Sequence, residues 1–408
     1  MFIFVKMGWR NLFRNKRRTF LAGLAIGMGL AGLMVADAFM LGMTDNMVRA
    51  ATETFTGHGQ IHRRGFRKTH EVEKTVTHYE QVIENLRQEE DIRVVTERTI
   101  SFSMITSPAN VNSVMLFGIR PETEKQISKL DEALINGSYV SDQPENRIMI
   151  GWKLAEVLEV GLNDRVVVTL AQAETGEMSQ EMFRVGGIFR FGIRQMDMGT
   201  AFVHIEKAQA MLNIGSMVHE IAFFCNNLKT AGNIGNPLWE KFSDEENQAL
   251  SWKKLIPELS SVLEMSDFGI WIITTILFGI VAVVIVNTLF MAMYERLFEF
   301  GVLRTIGTRP LRMALMILFE AASLAVISIV IGIAIGTLAN HILGITGLDY
   351  TGLEFVGVTI SEYIYPVMRT KQFTFYPTLL FFFTVIIGIY PAIHAARITP
   401  SKALRRSL

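Results

Sequence analysis

The run from Tyr294 to Arg312, YERLFEFGVLRTIGTRPLR, holds the residues whose types and spacing most invite a chemical reading. On a helix Glu295 and Glu299, four apart, share a face, and so do Arg296 and Leu303, seven apart. Acids and bases set among Phe298, Phe300, Val302 and Leu303 suit specific docking onto a protein surface, where charge complementarity fixes register more than affinity. A solvated loop would account for the arginines but not for the paired glutamates or the apolar residues. Gly307 is expected to end the helix. Covalent chemistry finds little support elsewhere. The chain contains no Walker-type phosphate loop, no GxSxG elbow and no HExxH helix, and no catalytic residue is assigned. His58 and His62 are four apart, but Gly57, Gly59 and Gly65 argue against a helix that would join them, so they read as solvated polar residues rather than metal ligands. Asp142, Glu145, Asp164 and Asp197 stand in turn-like contexts and read as turn formers. The single cysteine, Cys225, can build neither an internal disulfide nor a thiolate cluster.

The elements that must position the Tyr294–Arg312 run are membrane spans. Charged residues make up 19% of the 408, against about 25% in an average soluble domain, which points to long uncharged segments. Basic and acidic residues balance at 39 each, so no basic field recommends nucleic acid as a partner. A hydrocarbon core of roughly 30 Å needs about 20 apolar residues. Four stretches qualify: 19–43, 268–293, 313–340 and 372–395. Basic clusters flank them on one side only. Lys6, Arg10, Arg14, Lys16, Arg17 and Arg18 precede the first; Arg296, Arg304, Arg309 and Arg312 lie between the second and third; Arg397, Lys402, Arg405 and Arg406 follow the fourth. Positive-inside retention then makes 1–18, 294–312 and 396–408 cytoplasmic, and 44–267 and 341–371 external. Asp37 falls near the outer end of the first span. Glu320 lies within the third, where an acid must face protein or water, with Asn340 or a neighbouring helix as its expected partner. Gly23, Gly27, Gly29 and Gly32 suggest a face that packs closely on another helix.

Residues 44–267 have the composition of a globular α+β domain. Strands are expected at Arg93–Ile105, Val111–Ile119, Arg165–Leu170, Glu181–Phe191 and Glu220–Cys225, and helices at Tyr79–Gln88, Glu122–Leu134, Trp152–Val160 and Ile205–Leu212. A further helix from about Ser251 is expected to run into the second span.

Several of these residues carry a resemblance. Glu295-Arg296, with Glu299-Phe300-Gly301-Val302-Leu303-Arg304-Thr305-Ile306-Gly307, resembles the coupling helix of the FtsX-like permeases of ABC transporters. The ending Tyr390-Pro391-Ala392 through Ala403-Leu404-Arg405 is similar to that family's, as are Gly118–Pro121, Gly151–Val168, Val185–Phe189 and Trp252–Leu259. The resemblance covers nearly the whole chain. It implies four transmembrane helices, one plus three, with a large periplasmic α+β domain after the first, in a multi-pass protein of the bacterial inner membrane. It implies a non-catalytic permease subunit working by mechanotransmission, with ATP and Mg bound by a separate ATPase dimer. A second permease copy or paralogue would complete the assembly. Glu295, Arg296, Glu299, Gly301, Arg304 and Gly307 would make the ATPase contact, and the first and second spans the permease interface.

Within the family the segment Gly57–His62 is similar to that of the lipoprotein-releasing permeases LolC and LolE. That branch implies ATP-driven release of lipoproteins toward a periplasmic chaperone, with acyl chains entering between the first and second spans. Met28, Met34, Phe39, Met40, Met43, Phe268, Ile272 and Ile276 would line their path or serve as ordinary packing and lipid-facing residues; methionine suits the first role by its adaptability. The loop Phe191–Thr200 is too short to be diagnostic of a chaperone hook. A MacB-like efflux permease and an FtsX-like signalling permease acting on cell-wall hydrolases stand as alternatives.

Overall fold

The computed structural model describes residues 15–350, 354–355, 358–359 and 363–397. Lys6, Arg10, Arg14, Lys402, Arg405 and Arg406 lie outside them. In chain order, α1 is Lys16–Ala51, continued by a π-helical turn at Thr52–Thr56. A strand-rich stretch follows: β1 Gly59–Arg63, α2 Tyr79–Arg87, β2 Ile92–Thr106, β3 Val111–Ile119, β4 Leu134–Gly137, β5 Arg147–Gly151, α3 Trp152–Leu158, β6 Arg165–Ala171, β7 Met178–Phe189, β8 Thr200–His204, α4 Ile205–Leu212, β9 Glu220–Cys225 and β10 Asn247–Ser251. Then come α5 Pro257–Glu295, α6 Leu297–Thr305, α7 Pro310–Thr346 and α8 Thr370–Ala396. Two compact units emerge: a helical one from Met1–Asp45, Leu263–Asp349 and Tyr363–Leu408, and a strand-rich one from Asn46–Val262 and Tyr350–Glu362.

In the helical unit α1, α5, α7 and α8 are each long and apolar enough to cross a membrane. Even α8, the shortest at 27 residues, rises about 40 Å. Their directions alternate. Gly27 meets Gly332 and Met34 meets Gly336, so α1 and α7 run the same way. Phe278 contacts Phe383, and Phe290 contacts Tyr390, so α5 and α8 also share a direction. Gly388 meets Ala321 while Ala392 and Ala395 pack with Met313 and Met316, so α8 opposes α7. Four successive crossings require this alternation. The bundle core joins Ile26, Leu30 and Leu33 of α1 to Val281, Ile285 and Leu289 of α5, Leu324 of α7 and Leu380 of α8. The glycine face of α1 is spent mainly inside the chain. A Cβ at Gly27 would stand 2.8 Å from Ser328 O, and one at Gly332 would stand 2.8 Å from Gly27 O, so the two backbones touch as small residues allow. Gly29 abuts Val281, and Gly32 has nothing within 4 Å.

In the strand-rich unit, β2, β3, β8, β5, β7 and β6 pair in sequence, and β6 returns to pair with β2. The ring is closed, and its interior takes alternate residues from each strand, as barrel closure demands. Ile105, Val114, Leu116, Ile148, Ile150, Val166, Val168, Phe183, Val185, Ala201 and Val203 fill it. The first half of β2 pairs instead with β9, which continues through β1 to β10.

Two expectations change here. Glu122–Leu134 is not a helix: one turn, Pro121–Glu124, gives way to turns and then β4. The Glu124 carbonyl is shared by Ile127 N, Ser128 N and Ser128 Oγ, while its side chain is drawn into the interior by Arg98. His58 and His62 are not solvated. Both are buried, His62 within β1 and His58 just before it, and among the described residues no group of three His, Cys, Asp or Glu could hold a metal ion.

Candidate coupling site

α6 is a nine-residue helix set between two membrane helices, with a break on each side. At its start Arg296 has φ −113° and ψ 18°, which interrupts the helix continuing from α5. At its end Gly307 takes φ +94°, a conformation costly to any residue with a Cβ. Arg309 and Pro310 then open α7, with proline at a first-turn position where its missing N–H is harmless. Phe300 is fully buried and packs with Met293, Met313, Met316 and Ile317. Burial of that side turns the other outward. Phe298 is 52% exposed, Ile306 77% and Leu311 70%.

The charged residues split between the two sides. Glu295 is exposed and forms an ion pair with Arg18, at the start of α1. Glu299 is half-exposed, and Arg304 Nη1 donates to Thr308 O at 3.3 Å, tying down the turn around Gly307. Gly301 is buried beside Phe300. Arg296, which the sequence groups with the docking residues, is turned inward: its Nε donates to Glu299 Oε2 at 2.9 Å and its Nη1 to Glu320 Oε2 at 3.3 Å. Glu320 therefore meets Arg296 rather than Asn340, whose amide donates to Met34 O at 3.4 Å. The outward-facing residues in and around α6 are accordingly Phe298, Glu299, Ile306 and Leu311, with more apolar character than the charge pattern suggests.

The residues assigned to an acyl path are not brought to one surface. Met34 is fully buried in the bundle core. Met28 is exposed, Phe39, Met40 and Met43 are half-buried, and Phe268, Ile272 and Ile276 lie exposed along α5 at helical spacing, continued by Ile280. α5 is the least buried of the four long helices.

Sequence reading missed a buried cluster around Asp37. Its carboxylate, 1% exposed, accepts from Arg369 Nε at 3.1 Å and from Arg369 Nη2, from Gln372 Nε2 at 2.9 Å and from Tyr376 Oη at 2.7 Å. Val367 N donates to Ala38 O at 2.9 Å alongside. The available clue was an acid within one apolar run and an arginine immediately before another.

The strand-rich unit hides a second such cluster. Arg98, fully buried, donates from Nε and Nη2 to Glu124 at 2.9 and 2.7 Å, from Nη1 to Glu220 at 2.6 Å and from Nη2 to Phe55 O at 2.7 Å, with the Phe55 ring 3.8 Å from its guanidinium carbon. Burial opposes its charge, but the two carboxylates outweigh burial and raise its pKa. Around it burial lowers His62 to about 3 and His219 to about 4. Cys225 is buried and its thiol pushed up to about 12, so it is unreactive. Asp197, read from the sequence as a turn former, is instead buried within a short helix, Arg194–Gly199, and accepts from Phe191 N, Gly192 N and Trp152 Nε1.

Residues 271–400 match the family of the FtsX-like permease C-terminal domain. The chain is 25% identical over 317 residues to the lipoprotein-releasing system transmembrane protein LolC of Xylella fastidiosa, spanning 71% of this chain and 72% of that protein. It is 19% identical over 415 residues to LolC of Neisseria meningitidis, spanning 98% of each. Among solved structures it is similar to the periplasmic region of MacB from Actinobacillus actinomycetemcomitans, with TM-score 0.36 and 14% identity over 52% of this chain and 95% of that one.

Proposed function

We propose that this chain is an ABC transporter permease of the FtsX type, as its family match and LolC relatives support, that α6 receives the movement of a separate ATPase dimer, and that the bundle converts it into release of lipoproteins from the inner membrane toward a periplasmic chaperone. The observation that carries the first half is α6 itself: a short helix, broken from both neighbours, anchored by Phe300 and presenting Phe298 and Ile306 outward. ATP and Mg bind to the partner, and the permease contributes no catalytic group. The second half rests on the two LolC relatives, one matching over nearly its whole length, and on the uncovered apolar face of α5. Extraction of an acyl chain must oppose about 0.8 kcal/mol per buried CH₂, which is why the process needs ATP. In this reading both termini and α6 are cytoplasmic and the strand-rich domain periplasmic, an orientation that the basic clusters in the sequence support. A second permease copy or paralogue completes the membrane pathway.

The test is affinity purification of the tagged chain in mild detergent, with mass spectrometry of what accompanies it. An ATPase and acylated lipoproteins are expected for the unmodified chain. Phe298→Glu or Glu299→Arg should lose the ATPase while remaining inserted. Undiminished ATPase recovery with both variants would remove α6 as the docking element. A periplasmic adaptor without acylated protein would move the function to efflux.

A further inference from the structure

Arg296 and Glu320 form an ion pair that docking does not require. Arg296 is 8% exposed and Glu320 4%. Glu320 stands ten residues beyond Pro310, the start of α7, about 15 Å along the helix axis. A carboxylate at that depth is costly unless it faces protein or water. Its partner comes from the joint between α5 and α6, the one residue there whose backbone belongs to neither helix. The guanidinium reaches Glu299 on α6 and Glu320 on α7 at once, with the Phe300 ring 5.4 Å from its central carbon. Immediately beyond Glu320, Ala321 meets α8: a Cβ on Gly388 would stand 3.0 Å from Ala321 Cβ.

We propose that Arg296 is a positioning residue that pins the α5–α6 joint to α7 through Glu320, so that displacement of α6 passes to α7 and α8 rather than along α5 alone. The source of that displacement rests on the function proposed above; the pin does not. Arginine suits the task because its planar fork reaches two carboxylates in different directions, which the compact ammonium of lysine does less well.

The pin is tested on the full chain alone in lipid nanodiscs by hydrogen exchange. Glu320→Gln should speed exchange across α6 and the first turns of α7 about tenfold, as local opening becomes easier. Glu299→Gln should change it less than about twofold, because that carboxylate is half-exposed. The double variant Arg296→Glu with Glu320→Arg should return exchange toward the unmodified rate. Unchanged α6 exchange in inserted Glu320→Gln overturns the pin, and so does a double variant that exchanges as fast as the single one. If Glu320→Gln fails to insert, Arg296→Lys takes its place, with an expected acceleration of about threefold and unchanged exchange again overturning the pin.

Transmission is tested with the ATPase bound, using spin labels at Thr305→Cys, an exposed position of α6 outside the docking residues, and at Leu338→Cys in a Cys225→Ser background. The distance between labels should stay constant on adding ATP and vanadate in the otherwise unmodified chain and change in Glu320→Gln. An identical response in both overturns transmission through α7. Failure of the ATPase to bind the unmodified chain overturns the proposed function instead, and the exchange experiment still judges the pin.

Discussion

Two arginines in this molecule solve one electrostatic problem in opposite settings. Arg98 in the strand-rich unit and Arg296 in the helical unit each engage two glutamates and lie over a phenylalanine ring. Arg98 is sealed: its side chain and Glu124 have no exposure, and it also binds a backbone carbonyl. Arg296 is sealed on one side only, since the side chain of Glu299 remains 40% exposed while that of Glu320 is 5% exposed. A fully enclosed pair holds its partners because any rearrangement strands a buried charge. A pair with one wet partner can exchange that contact with water at little cost. The first arrangement makes an anchor, and the second a joint.

The comparison breaks most visibly at Arg98. Arg98→Met leaves Glu124 and Glu220 buried without their counter-charge, a loss of about 3–5 kcal/mol. Hydrogen exchange in β2 and β9 of the full chain should speed up by about two to four orders of magnitude, while α7 stays protected. Native-like protection of β9 in this variant would mean that Arg98 is dispensable.

A graded effect follows from three buried histidines of the same unit. His58, His62 and His219 have folded-state pKa values pushed by burial from 6.5 to about 4, 3 and 4. The unfolded chain therefore binds protons more readily than the folded one below about pH 6.5. Their contribution is intact above that pH and declines as the pH falls toward 4. β1 and β9 should lose protection between pH 7 and pH 5, after correction for intrinsic exchange rates, and His219→Gln should shallow the decline. Protection that holds level down to pH 5 would show that these rings are not kept neutral.

The smallest change is expected on the wet side of the joint. Glu299→Gln removes one contact of Arg296 and keeps the other, a loss below about 1 kcal/mol. The melting temperature of the full chain in detergent should move by no more than a few degrees. A drop as large as that of Glu320→Gln would erase the distinction between the two glutamates.

What the sequence discloses and what it withholds divide along the same line. The four long helices, the bounds of β3, β9 and α4, and the end of α6 at Gly307 follow from local periodicity and punctuation, so each is legible in a short window. Closure of the strand ring is not, because β5 and β8 are short and nearly or wholly buried along their length. They lack the alternation by which a half-buried strand is recognised. Buried charge partners are equally hidden: Asp37 and Arg369 are separated by 332 positions, and Arg98 and Glu220 by 122. Arg296 was legible as important but not as inward-facing, because the direction a side chain takes at a helix break is set by the packing of Phe300 beneath it. The α5 residues Phe268, Ile272 and Ile276 show the converse, since their spacing is plain while no described residue of the chain buries them.

The backbone contact between α1 and α7 also has a genetic consequence. Every missense substitution of a glycine codon adds at least one carbon, so at Gly27 and Gly332 the first change of any kind wedges two helices apart. Gly269 and Gly279 on α5, with nothing within 4 Å, face no such constraint. In a population of random variants the first pair should therefore be nearly empty of substitutions and the second well filled, recording in allele counts which helix faces are closed within the chain.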